Sequence, residues 1–167
     1  MKTTSAEANK LLRKLNDERL TLLEKETQNQ VFTAATVENL EDARPAYSYT
    51  ETQEKLAALD GQIRRIKHAL NRFNLIEELP GLSMTIDQAL IYIPQLSERK
   101  RRLGDMRLIP GKQRNNINRT GNLIEYTYAN FDPAQADADY TAVADELARV
   151  QNALDLVNST VTFEIEL

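Results

Sequence analysis

Two stretches of this chain repeat large apolar side chains at alternating intervals of three and four, and that pattern leaves few folds open. In the first, Leu56, Leu59, Ile63, Ile66, Leu70 and Phe73 are spaced 3, 4, 3, 4 and 3. In the second, Tyr140, Val143, Leu147, Val150, Leu154 and Val157 repeat the same spacing. A period near 3.5 residues puts every member of such a set on one side of an α-helix, as in a coiled-coil seam. A seam this narrow buries less than a globular helix needs. It therefore predicts long helices that pack on each other or on copies of the chain.

The rest of the chain fits around these two helices. Ala8, Leu11, Leu15 and Leu22 form a further stripe, widened by Leu12, Leu20 and Leu23, and Ser5 is a suitable N-cap for it. The sequence predicts helices over about 5–32, 51–77, 85–107 and 133–158, within a single domain spanning 1–167. Residues 33–50 mix turn formers with Pro45 and read as a connection. Pro80-Gly81 stops the second helix, and Thr85 caps the third, whose apolar positions are Ile86, Leu90, Ile93, Leu96, Leu103 and Met106. Pro94 lies inside that helix and predicts a kink, and Gly104 weakens its last turns. Asp132-Pro133 opens the fourth helix.

Two segments have the period of a strand. Ile124, Tyr126 and Tyr128 alternate with Leu123, Glu125 and Thr127, which predicts a strand over about 123–129 within a small antiparallel element near 117–129. Val161, Phe163, Ile165 and Leu167 alternate with Thr162, Glu164 and Glu166, predicting a C-terminal strand over about 160–167. A lone strand is unstable, so this tail must pair, with the 123–129 strand or with the tail of a neighbouring copy. The expected fold class is mainly α (α+β): four long amphipathic helices and a little antiparallel β structure.

Several functions are excluded or disfavoured. The chain has no Cys and one His, so thiolate sites, Cys nucleophiles and a two-His metal site within one chain are all ruled out. The first ten residues lack the apolar core of a signal peptide, and no run approaches the roughly 18 apolar residues of a membrane span. The cytoplasm is the expected location. Gly111-Lys112 resembles a phosphate loop only superficially, because Met106 and Gln113 stand where such a loop needs Gly and Ser or Thr. Asp132, Asp137 and Asp139 gather at a helix start, where dipole compensation explains them. No carboxylate pair suits acid/base work, so neither an enzyme nor a cofactor or metal is expected.

Three stretches resemble a known family: Leu70-Asn71-Arg72-Phe73-Asn74, Thr85-Ile86-Asp87-Gln88-Ala89-Leu90, and Leu154-Asp155-Leu156-Val157-Asn158. Together with the order of elements over roughly residues 50–160, they are similar to the bacterial septicolysin-like family of small helical proteins. Ile93 and Pro94 stand where the family pattern has an Arg followed by an Asp. The resemblance implies a helical fold and brings no biochemical activity with it.

Charge is distributed unevenly behind a net value of −4. Residues 99–119 hold eight Lys and Arg against the single acid Asp105, whereas residues 125–167 hold nine acids against Arg149. Such polarity suits two parts that face each other, within a chain or between subunits, or else a basic surface for an anion. A second basic run, from Arg64 and Arg65 through Lys67 and His68 to Asn71 and Arg72, has no acid between Gly61 and Asn74. On the heptad frame it lies off the core stripe. One reading is a solvated face that meets the acidic fourth helix. The other is a pocket between helices or subunits for a phosphate-bearing ligand, since Arg forks match phosphate oxygens.

In that second reading Arg64, Arg65, His68 and Arg72 hold the anion while Asn71 and Asn74 read polar edges. Tyr126 and Tyr128 stack on a base, and residues 112–122, with Arg114 and Arg119, act as a lid. The negative net charge and the absence of a reading-head motif disfavour double-stranded nucleic acid. The expected function is a non-catalytic homo-oligomer that captures a small anionic, nucleotide-type ligand in Arg/Asn-lined pockets. The alternative is a coiled-coil scaffold or protein-interaction module with no small ligand.

Overall fold

The structure is a computed structural model that describes residues 1–115 and 124–166. It is mainly helical with two small antiparallel strand pairs, an α+β fold. In chain order the elements are β1 (Lys2–Thr4), α1 (Ser5–Asn29), α2 (Leu40–Ala43), α3 (Tyr49–Ile76), α4 (Ile86–Met106), β2 (Lys112–Asn115), β3 (Glu125–Tyr128), α5 (Pro133–Thr160) and β4 (Thr162–Glu164). Contacts group these into two compact units, Met1–Asn74 with Asn158–Leu167, and Leu75–Val157.

In the first unit, α1 begins one residue earlier than a Ser5 cap would allow. Thr4 is the N-cap, held extended, and the Glu7 N–H donates to its Oγ1 at 3.2 Å while the Thr4 N–H donates to Glu7 Oε2 at 3.0 Å. This reciprocal box needs a carboxylate three residues after the cap. Thr4 has Glu7 there, whereas Ser5 would have Ala8. The Thr4 backbone N–H and then the Thr3 hydroxyl hold the Glu7 carboxyl below its ordinary value. The helix ends at Asn29, short of Phe32, because no apolar side chain after Leu23 extends its buried stripe.

The α3 seam closes on α1. Ala8, Leu12 and Leu15 form one core cluster with Ile63, Ile66 and Leu70, and Ile165 of the tail completes it. Each Leu or Ile side chain of the cluster contributes about 1.5–3 kcal/mol when fully buried. Phe73 adds a stacked contact with Phe163, ring centres 4.6 Å apart and 20° from parallel. The connection between the helices is tied down by Glu26, whose Oε1 accepts from the Tyr47 hydroxyl at 3.0 Å and from Gln53 Nε2 at 2.6 Å.

The tail pairs with neither of the partners expected for it. β4 is antiparallel to β1, with Lys2 opposite Glu164, Thr3 opposite Phe163 and Thr4 opposite Thr162. The Ile165 N–H donates to the Met1 carbonyl at 2.8 Å just beyond the register. The physical reason is that β3 is already occupied by β2, a strand only ten residues before it in sequence. The inward alternation is as predicted, with Ile165 buried and Thr162, Glu164 and Glu166 exposed.

In the second unit, Thr85 caps α4 through a box with Gln88, and Gly81 turns the chain before it at φ 72°. Gly tolerates that left-handed value without strain. The buried positions of α4 are Ile86, Ala89, Leu96 and Leu103; Leu90, expected to be apolar core, is 48% exposed. The helix continues through Pro94, which is itself exposed. Asp132 caps α5, accepting from the Ala134 N–H at 2.9 Å. The α5 seam is buried at Val143, Leu147, Val150, Leu154 and Val157. No helix among the described residues is long and apolar enough to cross a membrane.

Candidate functional site

The α3 basic run lies where its helical phase puts it. At 100° per residue, Asn71, Arg64, His68 and Arg72 fall within an arc of about 100°, with Lys67 and Arg65 flanking it. The buried side chains of α3, Leu56, Ile63, Ile66, Leu70 and Phe73, occupy the opposite side. Arg64, Arg65, Lys67, His68, Asn71 and Arg72 are all exposed. Among the described residues none of the four cations Arg64, Arg65, Lys67 and Arg72 forms an ion pair with a carboxylate. Asn74 differs from this group. It is half-buried at the edge of the core stripe, and its buried Oδ1 accepts no hydrogen bond among the described residues. The α3 set is thus an open cationic face rather than a lined pocket.

A groove of about 800 Å³ does run along the first unit, but the predicted residues do not line it. Its wall is Lys10, Arg13, Lys14 and Asp17 of α1 against Lys55 and Leu59 of α3, among others. It is shallow and mixed in sign, and its charges are partly spent on Lys14–Glu18 and Lys55–Glu51 pairs at 3.9 and 4.0 Å.

The second group of predicted residues is brought together by the β2–β3 ribbon. Residues 112–115 are a strand and not part of a loop, because their backbone pairs with Glu125–Tyr128 in the register Lys112↔Tyr128, Gln113↔Thr127, Arg114↔Tyr126 and Asn115↔Glu125. Ala129 donates to the Gly111 carbonyl at 3.1 Å and closes the base of the ribbon. Directly opposed residues in an antiparallel pair share a face, and side chains alternate along each strand. Lys112, Arg114, Tyr126 and Tyr128 therefore stand on one face, and Gln113, Asn115, Glu125 and Thr127 on the other. The Lys112 ammonium sits 4.1 Å from the Tyr126 ring centre and 5.6 Å from that of Tyr128. The two rings are 6.3 Å apart and tilted by 49°. Tyr126 is 43% exposed and Tyr128 62%. Arg119 lies outside the described residues.

Lys112 is the member of this face that sequence reasoning counted only as loop. The signal was present: it is two residues before Arg114, the spacing that shares a face once the segment is a strand. Nearby, Tyr140 packs on α4, where a Cβ at Gly104 would come within 3.3 Å of its Cε2. Arg107 lies 3.8 Å over the same ring and reaches Asp137 Oδ1 at 3.1 Å. Gly104 thus serves a close approach, and Arg107 is committed to structure.

Chemically, the ribbon face offers two cations and two ring faces with no carboxylate on the same side. This suits binding of an anion with flat aromatic parts. Among the described residues no group of three or more His, Asp or Glu side chains is arranged to hold a metal ion.

No family model and no curated protein matches the chain. A crystal structure of a functionally unknown conserved protein from Corynebacterium diphtheriae is similar, with a TM-score of 0.62 and 16% identity, over 98% of this chain and 100% of that one. At that identity the likeness shows the fold alone.

Proposed function

We propose that this chain is a non-catalytic binding protein that assembles with copies of itself and captures a small anionic ligand of nucleotide type. The observation that carries this reading is the ribbon face, where Lys112 and Arg114 stand in register with Tyr128 and Tyr126. Guanidinium forks suit phosphate oxygens, and exposed tyrosine rings suit a base. The cationic face of α3 is a second surface of the same sign, and a pocket between subunits would form where such faces meet other copies.

Self-assembly draws support from what a single chain leaves uncovered. Leu75 and Ile76 are 61% and 65% exposed, and Leu108 and Ile124 are 76% and 61% exposed. Arg99, Lys100, Arg102, Lys112 and Arg114 have no carboxylate partner among the described residues. The acidic C-terminal part of a second copy is a matching surface. A coiled-coil scaffold is less well supported, because the apolar seams of α3 and α5 are already covered within one chain. Kinship with the septicolysin-like family and residence in the cytoplasm belong to the same reading.

The test combines native mass spectrometry with calorimetric titration of nucleoside mono-, di- and triphosphates. An oligomer that binds at least one of them, and loses about 10- to 150-fold in affinity on Arg114→Glu, is the expected result. Binding that survives Arg114→Glu, Arg64→Glu and Arg72→Glu unchanged would overturn the assignment of these faces. An oligomer that binds none of the nucleotides would favour the scaffold, and a monomer would remove the assembly part.

A further inference from the structure

Resting on the nucleotide reading, we infer that the ribbon face is a subsite for two successive nucleotides of an unpaired strand, and that the ligand is an oligonucleotide. The face is a repeat of one unit. By backbone register Tyr128 lies opposite Lys112 and Tyr126 opposite Arg114. The face thus carries two rings for two bases and two cations for two phosphates, with the Lys112 ammonium resting nearer Tyr126 in the free protein. A free mononucleotide would use half of it.

Spacing sets the form of the strand. The rings are 6.3 Å apart, close to the rise of two residues along a β-strand. Successive nucleotides in a stacked duplex strand are about 3.4 Å apart. The rings are therefore nearly twice too far apart for neighbouring bases of a duplex, but suit bases that have left each other and lie one on each ring. Their 49° tilt also breaks the parallel stacking that a duplex enforces. The exposure of both rings lets a base approach from solvent.

In the free protein Lys112 covers the Tyr126 ring at 4.1 Å. An exposed cation–π contact is worth about 2- to 5-fold in an equilibrium, whereas a base on an aromatic ring is worth about 5- to 150-fold. The base displaces the ammonium, which is then free to meet the phosphate. Glu125, the acid of β3, falls on the opposite face of the ribbon by strand alternation and does not repel the strand from this side. The net charge of −4 limits the contact to a short segment near the ribbon.

The experiment is fluorescence anisotropy on the full chain, with labelled oligo(U) and oligo(dT) of one, two and six nucleotides. The dinucleotide is expected to bind about 5- to 150-fold more tightly than the mononucleotide. For 5′-phosphorylated strands of two nucleotides, which offer two phosphates, log K should fall with log salt at a slope of about −1.4. Tyr128→Ala should bring the dinucleotide to within about twofold of the mononucleotide, and Tyr128→Phe should restore it, because only the ring is needed. Equal affinity for one and two nucleotides would overturn this inference while leaving nucleotide capture intact. Absence of binding at every length would overturn both. Tyrosine variants that change oligomeric state and leave binding untouched would make the ribbon a contact between copies, and would also overturn it.

Discussion

Ile165→Ala tests the least expected feature of the fold, the closure of the first unit by its own tail. Ile165 is 1% exposed and belongs to one cluster with Ala8, Leu12, Leu15, Ile63, Ile66 and Leu70. The substitution removes three carbons, which at about 0.8 kcal/mol each gives about 2.4 kcal/mol of lost transfer energy. A cavity left unrelaxed would raise the loss, within the roughly 2–5 kcal/mol seen for such truncations. A three-residue strand at the edge of the unit can settle inward, so the lower part of that range, about 2–3 kcal/mol, is expected. For a chain of this size that lowers Tm by roughly 4–12 °C. Urea unfolding followed by far-UV circular dichroism measures it, with exposed Glu164→Ala as the control, expected to change stability by less than about 0.5 kcal/mol. A loss below about 1 kcal/mol for Ile165→Ala would refute the reasoning, because the side chain would then not reside in that core.

Two further outcomes follow from local electrostatics. Thr4→Ala should cost about 1 kcal/mol through the lost cap. Glu7, whose native pKa lies below its ordinary 4.5, stabilises the fold above that value and loses its contribution as pH falls through the native one. Glu7→Gln should therefore flatten the acid limb of a plot of Tm against pH, and an unchanged limb would count against the capping box. Tyr47 is raised above 10.0, first by desolvation and then by its hydrogen bond to Glu26. Its contribution is whole below that value and lost as pH rises through the native one, so Tyr47→Phe should weaken the alkaline loss in the same scan.

The helices were legible because their evidence is local and periodic. Both heptad seams are buried almost throughout, and the Thr85 and Asp132 caps fall where the residues put them. The errors have separate physical causes. Ser5 and Thr4 are both good caps, and only the position of Glu7 decides between them. In α4 the buried set Ala89, Leu96 and Leu103 repeats every seven residues, but Ala89 is too small to look like an anchor beside Leu90. The partner of the tail was not legible at all: Lys-Thr-Thr before α1 has no apolar alternation, and its pairing follows from a contact made across almost the whole chain.

The same distinction governs the candidate site. Residue types suggest a cationic and aromatic site, yet side-chain type could not say which of those residues share a surface. On α3 the helical phase sends the cations away from the core, so what the residues suggest as a pocket is an open face within one chain. On the ribbon a polar strand, Lys-Gln-Arg-Asn, is defined only by pairing with β3, and the pairing turns two separate observations into one arrangement. Lys112 gains its meaning solely from the register that sets it opposite Tyr128. The convex α3 face needs another body to complete a site. The two ribbon rings, with the Lys112 ammonium near both, are by contrast already gathered within one chain.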